Sequence, residues 1–131
     1  MAAAAMVCGS CAGGAMTQYR FQRDAASLGS LASEGELLAR QAASADAPAP
    51  FIAAHASEVG ADAGDLASVV ASTRPQTGLA GKTRELASLA RSVDSLLERL
   101  ERSPNDGALA RDIADRLAAI SDRAARLEAS A

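Results

Sequence analysis

Four stretches of the chain repeat apolar residues at alternating spacings of three and four, the period of an amphipathic helix. Residues 17–45 align Phe21, Leu28, Leu31, Gly35, Leu38 and Ala42 on one face, with Asp24 on the same line. Residues 50–72 align Ile52, His55, Val59, Asp62, Leu66 and Val69. Residues 79–102 place Leu86, Leu89, Val93, Leu96 and Leu100 in strict order. Residues 104–129 do the same with Ile113, Leu117, Ile120, Ala124 and Leu127.

The breaks between these stretches have chemical causes. "ADAPAP" ends the first, because residues before proline avoid the helical region and proline suits a first helical turn. "STRPQTG" separates the second from the third. In "RSPND", Ser103 is the expected cap of the fourth helix, with Pro104 at its first position and Asp106 near the positive end of its dipole. Three short connections make neighbouring helices antiparallel. The pattern predicts an all-α, up-down-up-down four-helix bundle over residues 17–131, preceded by a flexible, signal-like segment at 1–16. A chain of 131 residues suits one such domain.

The two halves differ. Helices 3 and 4 carry leucine or isoleucine at most seam positions, which predicts a rigid, coiled-coil-like pair. Their outer faces offer Glu98/Arg102, Asp112/Arg116 and Asp122/Arg126 as ion pairs one turn apart. Helices 1 and 2 contain Gly29, Gly35, Gly60 and Gly64, with Ser57 and Ser68 extending the line of the last two. Such a line packs a helix closely on its neighbour, or else gives an adaptable surface for a ligand or partner.

Composition supports helices: 34 alanines, and aromatics limited to Tyr19, Phe21 and Phe51. The net charge is −3. No basic stripe is interleaved with aromatics, so a nucleic-acid partner is not expected. No apolar run reaches the roughly 20 residues that span a bilayer.

Both cysteines lie in "AMVCGSCAGG", residues 5–14. Cys8 and Cys11 have the spacing of a redox or zinc pair. Thioredoxin-like chemistry needs a preceding strand, and only seven residues precede Cys8; zinc needs two more ligands, and His55 is the only histidine. The same stretch resembles the end of a bacterial lipoprotein signal. "AAAAMV" stands as a short apolar core, Gly9 and Ser10 as the small residues before Cys11, and "AGGA" as the segment after it. Cys8 stands where leucine is usual, and a basic n-region is missing, as if Met1 were internal to a longer signal. The chain is thus similar to the small helical-bundle lipoproteins of bacteria. That resemblance implies lipidation at Cys11 and a place in the cell envelope. Cleavage after Ala15 and an uncleaved cytoplasmic tail are the alternatives.

Other candidate chemistry is sparse. His55, Glu58 and Asp62 lie at i, i+3 and i+7 on helix 2 and are candidate metal or small-ligand groups; Glu34 and Glu36 on helix 1 could face helix 2 but do not complete the ligand set of a two-iron bundle. The bland alternative is a histidine bonded to a carboxylate or water near the bundle end. Asp24 and Asp62, on apolar stripes, are the carboxyls whose burial would raise a pKa. Tyr19, Arg20, Phe21 and Arg23 form either a docking surface or a plug for one bundle end. No catalytic residue or cofactor is expected: a serine nucleophile has only His55 as a base, and no Gly-rich phosphate loop is present. The expected function is that of a non-enzymatic, membrane-tethered interaction or scaffold protein with an unidentified protein partner. Alternatives are a cytoplasmic module, homo-oligomeric through the helix 3 seam, and a metal or ligand carrier.

Overall fold

The structure is a computed structural model that describes residues 14–131. Cys8, Cys11 and the signal-like reading of residues 1–13 lie outside the described residues. Four helices form the fold: α1 (Gln18–Ala43), α2 (Ala49–Ala71), α3 (Ala80–Arg102) and α4 (Gly107–Ala129). Two short strands, β1 (Ala15–Met16) and β2 (Arg74–Pro75), pair in parallel. The fold is all-α and its helices pack as a bundle. No helix among the described residues is long and apolar enough to cross a membrane.

Helix ends follow local hydrogen bonding more than proline. Thr17 caps α1, its hydroxyl accepting from the Arg20 N–H at 3.2 Å. The helix stops before "APAP". The N–H of Asp46 reaches the Gln41 carbonyl at 3.0 Å, and that of Ala45 reaches Ala42 at 3.2 Å. This is a Schellman stop with Ala45 at φ 54°, where glycine is the usual residue. The expected Ser103 cap of α4 is displaced. Ser103 closes α3 instead, and Asp106 caps α4, its carboxylate accepting from the Leu109 N–H at 3.0 Å. A carboxylate just before Gly107 reaches the free N–H groups, so "SPND" becomes a turn rather than the first helical residues.

The core runs the length of the bundle. Phe21, Leu28, Ile52, Leu86, Leu97, Leu100, Ile113 and Leu117 are all fully buried. Each such side chain contributes about 1.5–3 kcal/mol relative to exposure. The helix 4 stripe is buried as the spacing predicts. Helix 3 adds Leu97, Ala87 and Ala90, while Leu89 stays half-buried.

Helix 2 is turned from the predicted face. Its buried line is Ile52, Ala56, Val59, Gly60, Ala63, Ala67 and Val70. Asp62 and Val69 are exposed, and His55 and Leu66 are half-buried. The pattern weighted the larger residues, but alanine and glycine face the core wherever the partner helix comes close.

That close approach also decides which helices pair. α1 lies chiefly along α4, and α2 along α3. The expected α3–α4 pair is the looser contact, because the small-residue lines sit elsewhere. A Cβ built on Gly29 lies 3.9 Å from the Ala124 Cβ; on Gly35 it meets Leu117 and Leu97 methyls at 3.1 Å. On Gly60 and Gly64 it meets Asp94 atoms at 3.3 and 2.9 Å. Gly60 and Gly64 thus serve the close-packing alternative, against α3. The hydroxyls of Ser33 and Ser121 bond at 2.9 Å across the α1–α4 seam.

Two glycines on one helix should therefore respond oppositely. Gly29→Ala adds a methyl at ordinary contact distance and should stabilise by about 0.5–1 kcal/mol through helix propensity. Gly35→Val drives a branched side chain between Leu97 and Leu117 and should destabilise by about 1–3 kcal/mol. Urea unfolding followed by circular dichroism reads both.

Candidate functional site

Four chain segments meet at one end of the bundle. The Arg74 N–H donates to the Gly14 carbonyl at 3.3 Å, and the Gln76 N–H to Met16 at 3.1 Å. The Gln22 amide donates to the Ala131 carbonyl at 3.2 Å, and the Lys82 ammonium to Ser130 at 2.7 Å. Met16 and Phe21 are fully buried beneath these ties. Met16 thus belongs to the core, although the apolar pattern starts only at residue 17.

The cluster of Tyr19, Arg20, Phe21 and Arg23 splits by helix position. Phe21 points into the core and is the plug; it cannot belong to a docking surface. Tyr19 is 75% exposed, and Arg23 is exposed. Arg20 folds back on Asp24, which is only 6% exposed. The Arg20 Nε and the Asp24 Oδ2 lie 3.7 Å apart, and the Arg23 Nε lies 3.6 Å from Oδ1. Those separations are ion-pair distances, too long for hydrogen bonds. Both Arg20 Nε and Asp24 Oδ2 are shielded without a hydrogen-bond partner among the described residues. Asp24 is therefore held by charge alone, next to the core.

His55, Glu58 and Asp62 do not converge. The His55 ring stacks on Phe51 at a centroid distance of 4.1 Å, and its Nδ1 lies 3.1 Å from the Phe51 carbonyl oxygen. Glu58 and Asp62 are exposed. They stand about 4.5 and 10.5 Å along the axis from His55, too spread to close on one ion. From helix 1, Glu36 is engaged by Arg40 at 2.7 Å, and Arg40 also approaches Asp115 at 3.9 Å. Among the described residues, no three His, Cys, Asp or Glu side chains are grouped to hold a metal ion.

A groove that the apolar pattern missed lies between the C-terminal turn of α2 and the first half of α3. It encloses about 450 Å³ and is lined by Val70, Pro75, Ala80, Thr83, Arg84, Ala87 and Arg91 among others. Thr83 is buried, and its hydroxyl has no hydrogen-bond partner among the described residues. Such an orphan costs about 1–3 kcal/mol. Neither Arg84 nor Arg91 makes an ion pair among the described residues.

Six of the twelve arginines form ion pairs, while Arg74, Arg99, Arg111 and Arg126, like Arg84 and Arg91, form none among the described residues. Arg102 bonds Glu98, and Arg116 bonds Asp112 at 2.9 Å, two of the three expected pairs. Arg123 of α4 grips Glu85 of α3, with Nη2 donating to Oε2 at 2.9 Å. The hydrogen bond from Arg123, reinforced by its charge, holds the Glu85 carboxyl below its ordinary value of 4.5. This pair spans the looser α3–α4 contact.

The helix 3 seam is spent inside the chain: Leu86, Val93 and Leu100 are fully buried there. Exposed apolar side chains remain at Tyr19, Leu37, Phe51 and Val69. Comparison with family models, with curated proteins and with solved structures returned no match.

Removing the Asp24 charge should be costly. Asp24→Asn leaves Arg20 without its counter-ion and should lose about 1–3 kcal/mol. The double variant Arg20→Met/Asp24→Leu should recover most of that loss in the same chemical denaturation assay. Glu85 gives a pH signature. Its depressed folded-state pKa makes the pair stabilising above the unfolded value, a gain lost as pH falls below 4.5 through the folded value. Glu85→Gln should lower the urea midpoint at neutral pH, and the gap to the unmodified protein should shrink steadily in acid.

Proposed function

We propose that the chain is a non-enzymatic helical-bundle protein of the bacterial cell envelope, tethered through a lipid on Cys11 and acting as an interaction or scaffold protein. The bundle is read as antiparallel and up-down-up-down. The contacts of Gln22 with Ala131, Ser33 with Ser121 and Arg40 with Asp115 support that order. So does the clip of Gly14–Met16 onto Arg74–Gln76, which ties the start of α1 to the end of α2.

The same clip is the observation that carries the choice of Cys11. Processing that makes Cys11 the first residue keeps both clip bonds. Cleavage after Ala15 removes Gly14, the acceptor for Arg74, and half of β1. Two residues separate Cys11 from Gly14, so the linkage from Cys11 to Gly14 spans at most about 11 Å when extended. A lipid on Cys11 would thus keep the Tyr19 and Arg23 end beside the bilayer. The opposite end, including exposed Phe51 at the start of α2, would face a protein partner.

The test is metabolic labelling with an alkyne fatty acid in a bacterial host that expresses the chain with a basic n-region and apolar residues added ahead of Met1. Label should appear on the unmodified protein, persist in Cys8→Ser and vanish in Cys11→Ser. Absence of label on the unmodified protein, or label that survives Cys11→Ser, overturns the reading.

A further inference from the structure

The two tight helix pairs form two leaves, α1 with α4 and α2 with α3, and the polar ties that join them are unevenly placed. Within the α1–α4 leaf the ties run the whole length: Gln22 to Ala131, Ser33 to Ser121 and Arg40 to Asp115. Between the leaves, every hydrogen bond and ion pair among the described residues lies toward one end. These are the bonds of Arg74 to Gly14 and Gln76 to Met16, of Lys82 to Ser130, and of Arg123 to Glu85. At the far end the leaves are joined by the chain itself. Residues 44–48 connect α1 to α2, and residues 103–106 connect α3 to α4. The Ala43 carbonyl oxygen lies 3.6 Å from a Cβ built on Gly107, which places both connections at that same end. The close seams at Gly29, Ser33, Gly60 and Gly64 lie inside the leaves.

We propose that the bundle is a latched clasp: its two leaves swing apart at the clip end about residues 44–48 and 103–106, and Gly14–Met16 is the latch. Short connections at the ends of rigid elements are the usual hinges of such motions. The latch is light. It consists of two backbone hydrogen bonds and one buried side chain, Met16. The Lys82 and Arg123 ties beside it are exposed or half-exposed, and such ties hold weakly. The leaves stay whole on opening, because their seams do not involve the strap. Opening bares Phe21 on one leaf and Val70 and Leu86 on the other, all fully buried when closed. The strap continues directly into the chain ahead of Gly14, so whatever grips that segment acts on the latch first. The device stands whether or not Cys11 carries a lipid.

The experiment is double electron–electron resonance on the full chain, with Cys8→Ser and Cys11→Ser and with nitroxides on cysteines placed at three pairs of exposed positions. Ser27 and Ser68 span the leaves toward the clip end, Leu37 and Ala54 span them toward the connections, and Ser30 and Ala125 lie within the α1–α4 leaf. Met16→Ala/Gln76→Pro shrinks the plug and removes a clip donor. It should add a Ser27–Ser68 population about 10 Å or more longer, holding at least about a tenth of the molecules. The other two pairs should keep their distances within about 2 Å. A Ser27–Ser68 distance that stays closed overturns the proposal. So does a spread of all three pairs together, which is loosening of the whole core and not a hinge. Should the double variant lose its helical circular dichroism, Gln76→Pro alone decides, since it removes one backbone hydrogen bond and no core side chain. The same longer population supports the clasp, and a closed distance in that variant overturns it.

Discussion

The close approach of α1 to α4 and of α2 to α3 is the constraint on which the rest of the structure depends. Glycine, alanine and serine line both seams: Gly29 and Ser33 against Ala124 and Ser121, Gly60 and Gly64 against Asp94 and Leu97. With so few large side chains available, helices that stood further apart would leave voids, and each void forfeits dispersion contacts. The long side chains of Phe21, Leu97, Leu100 and Leu117 then fill the space between the two tight pairs. The local weakening of helices 1 and 2 by Gly35, Gly60 and Gly64 is offset by this packing, whereas Gly29 leaves room for a methyl.

The rotation of helix 2 follows from the same constraint. Periodicity placed the helices within a few residues, and it placed the core face of helix 4 and most of that of helix 1, where Phe21, Leu28 and Leu38 are buried and Leu31 is half-buried. On helix 2 the choice lay between a line of Ile52, His55, Val59, Leu66 and Val69 and a line rich in alanine. The alanine line won, since only it admits α3 at the distance that Gly60 and Gly64 allow. Proline guided one start and missed another: α2 begins at Pro48 with Pro50 in its first turn and no side-chain cap, whereas Asp106, not Ser103, starts α4. The candidate chemistry was less legible. His55, Glu58 and Asp62 share a face in sequence but spread along the axis, and Phe21 is separated from Tyr19 by the single turn of direction that buries one and exposes the other. Arg84, Arg91 and Thr83 gave almost no signal, because a groove is a property of two helices and an unpaired hydroxyl is visible only once its neighbours are known.

The polar groups divide into those that complete the fold and those the fold leaves unanswered. Glu85 with Arg123, Glu98 with Arg102 and Asp112 with Arg116 are exposed or half-exposed pairs that tune a bundle already determined by packing. Asp24 with Arg20, and the clip of Gly14–Met16 on Arg74–Gln76, close one end around Met16 and Phe21. The Thr83 hydroxyl and six of the arginines, Arg84 and Arg91 among them, have no such partner among the described residues. A sequence satisfies most of its levels at once, and the places where it does not are where a function is sought.

All of this rests on α1 and α4 meeting face to face within one chain. Oxidation of a variant carrying Ser33→Cys and Ser121→Cys, with Cys8→Ser and Cys11→Ser to remove the native thiols, tests that directly. The hydroxyls stand 2.9 Å apart, close enough for a disulfide to form with little backbone movement. The account predicts a complete intramolecular crosslink that runs as a monomer on a non-reducing gel. A reduced pair of thiols, or a crosslinked dimer, would contradict it.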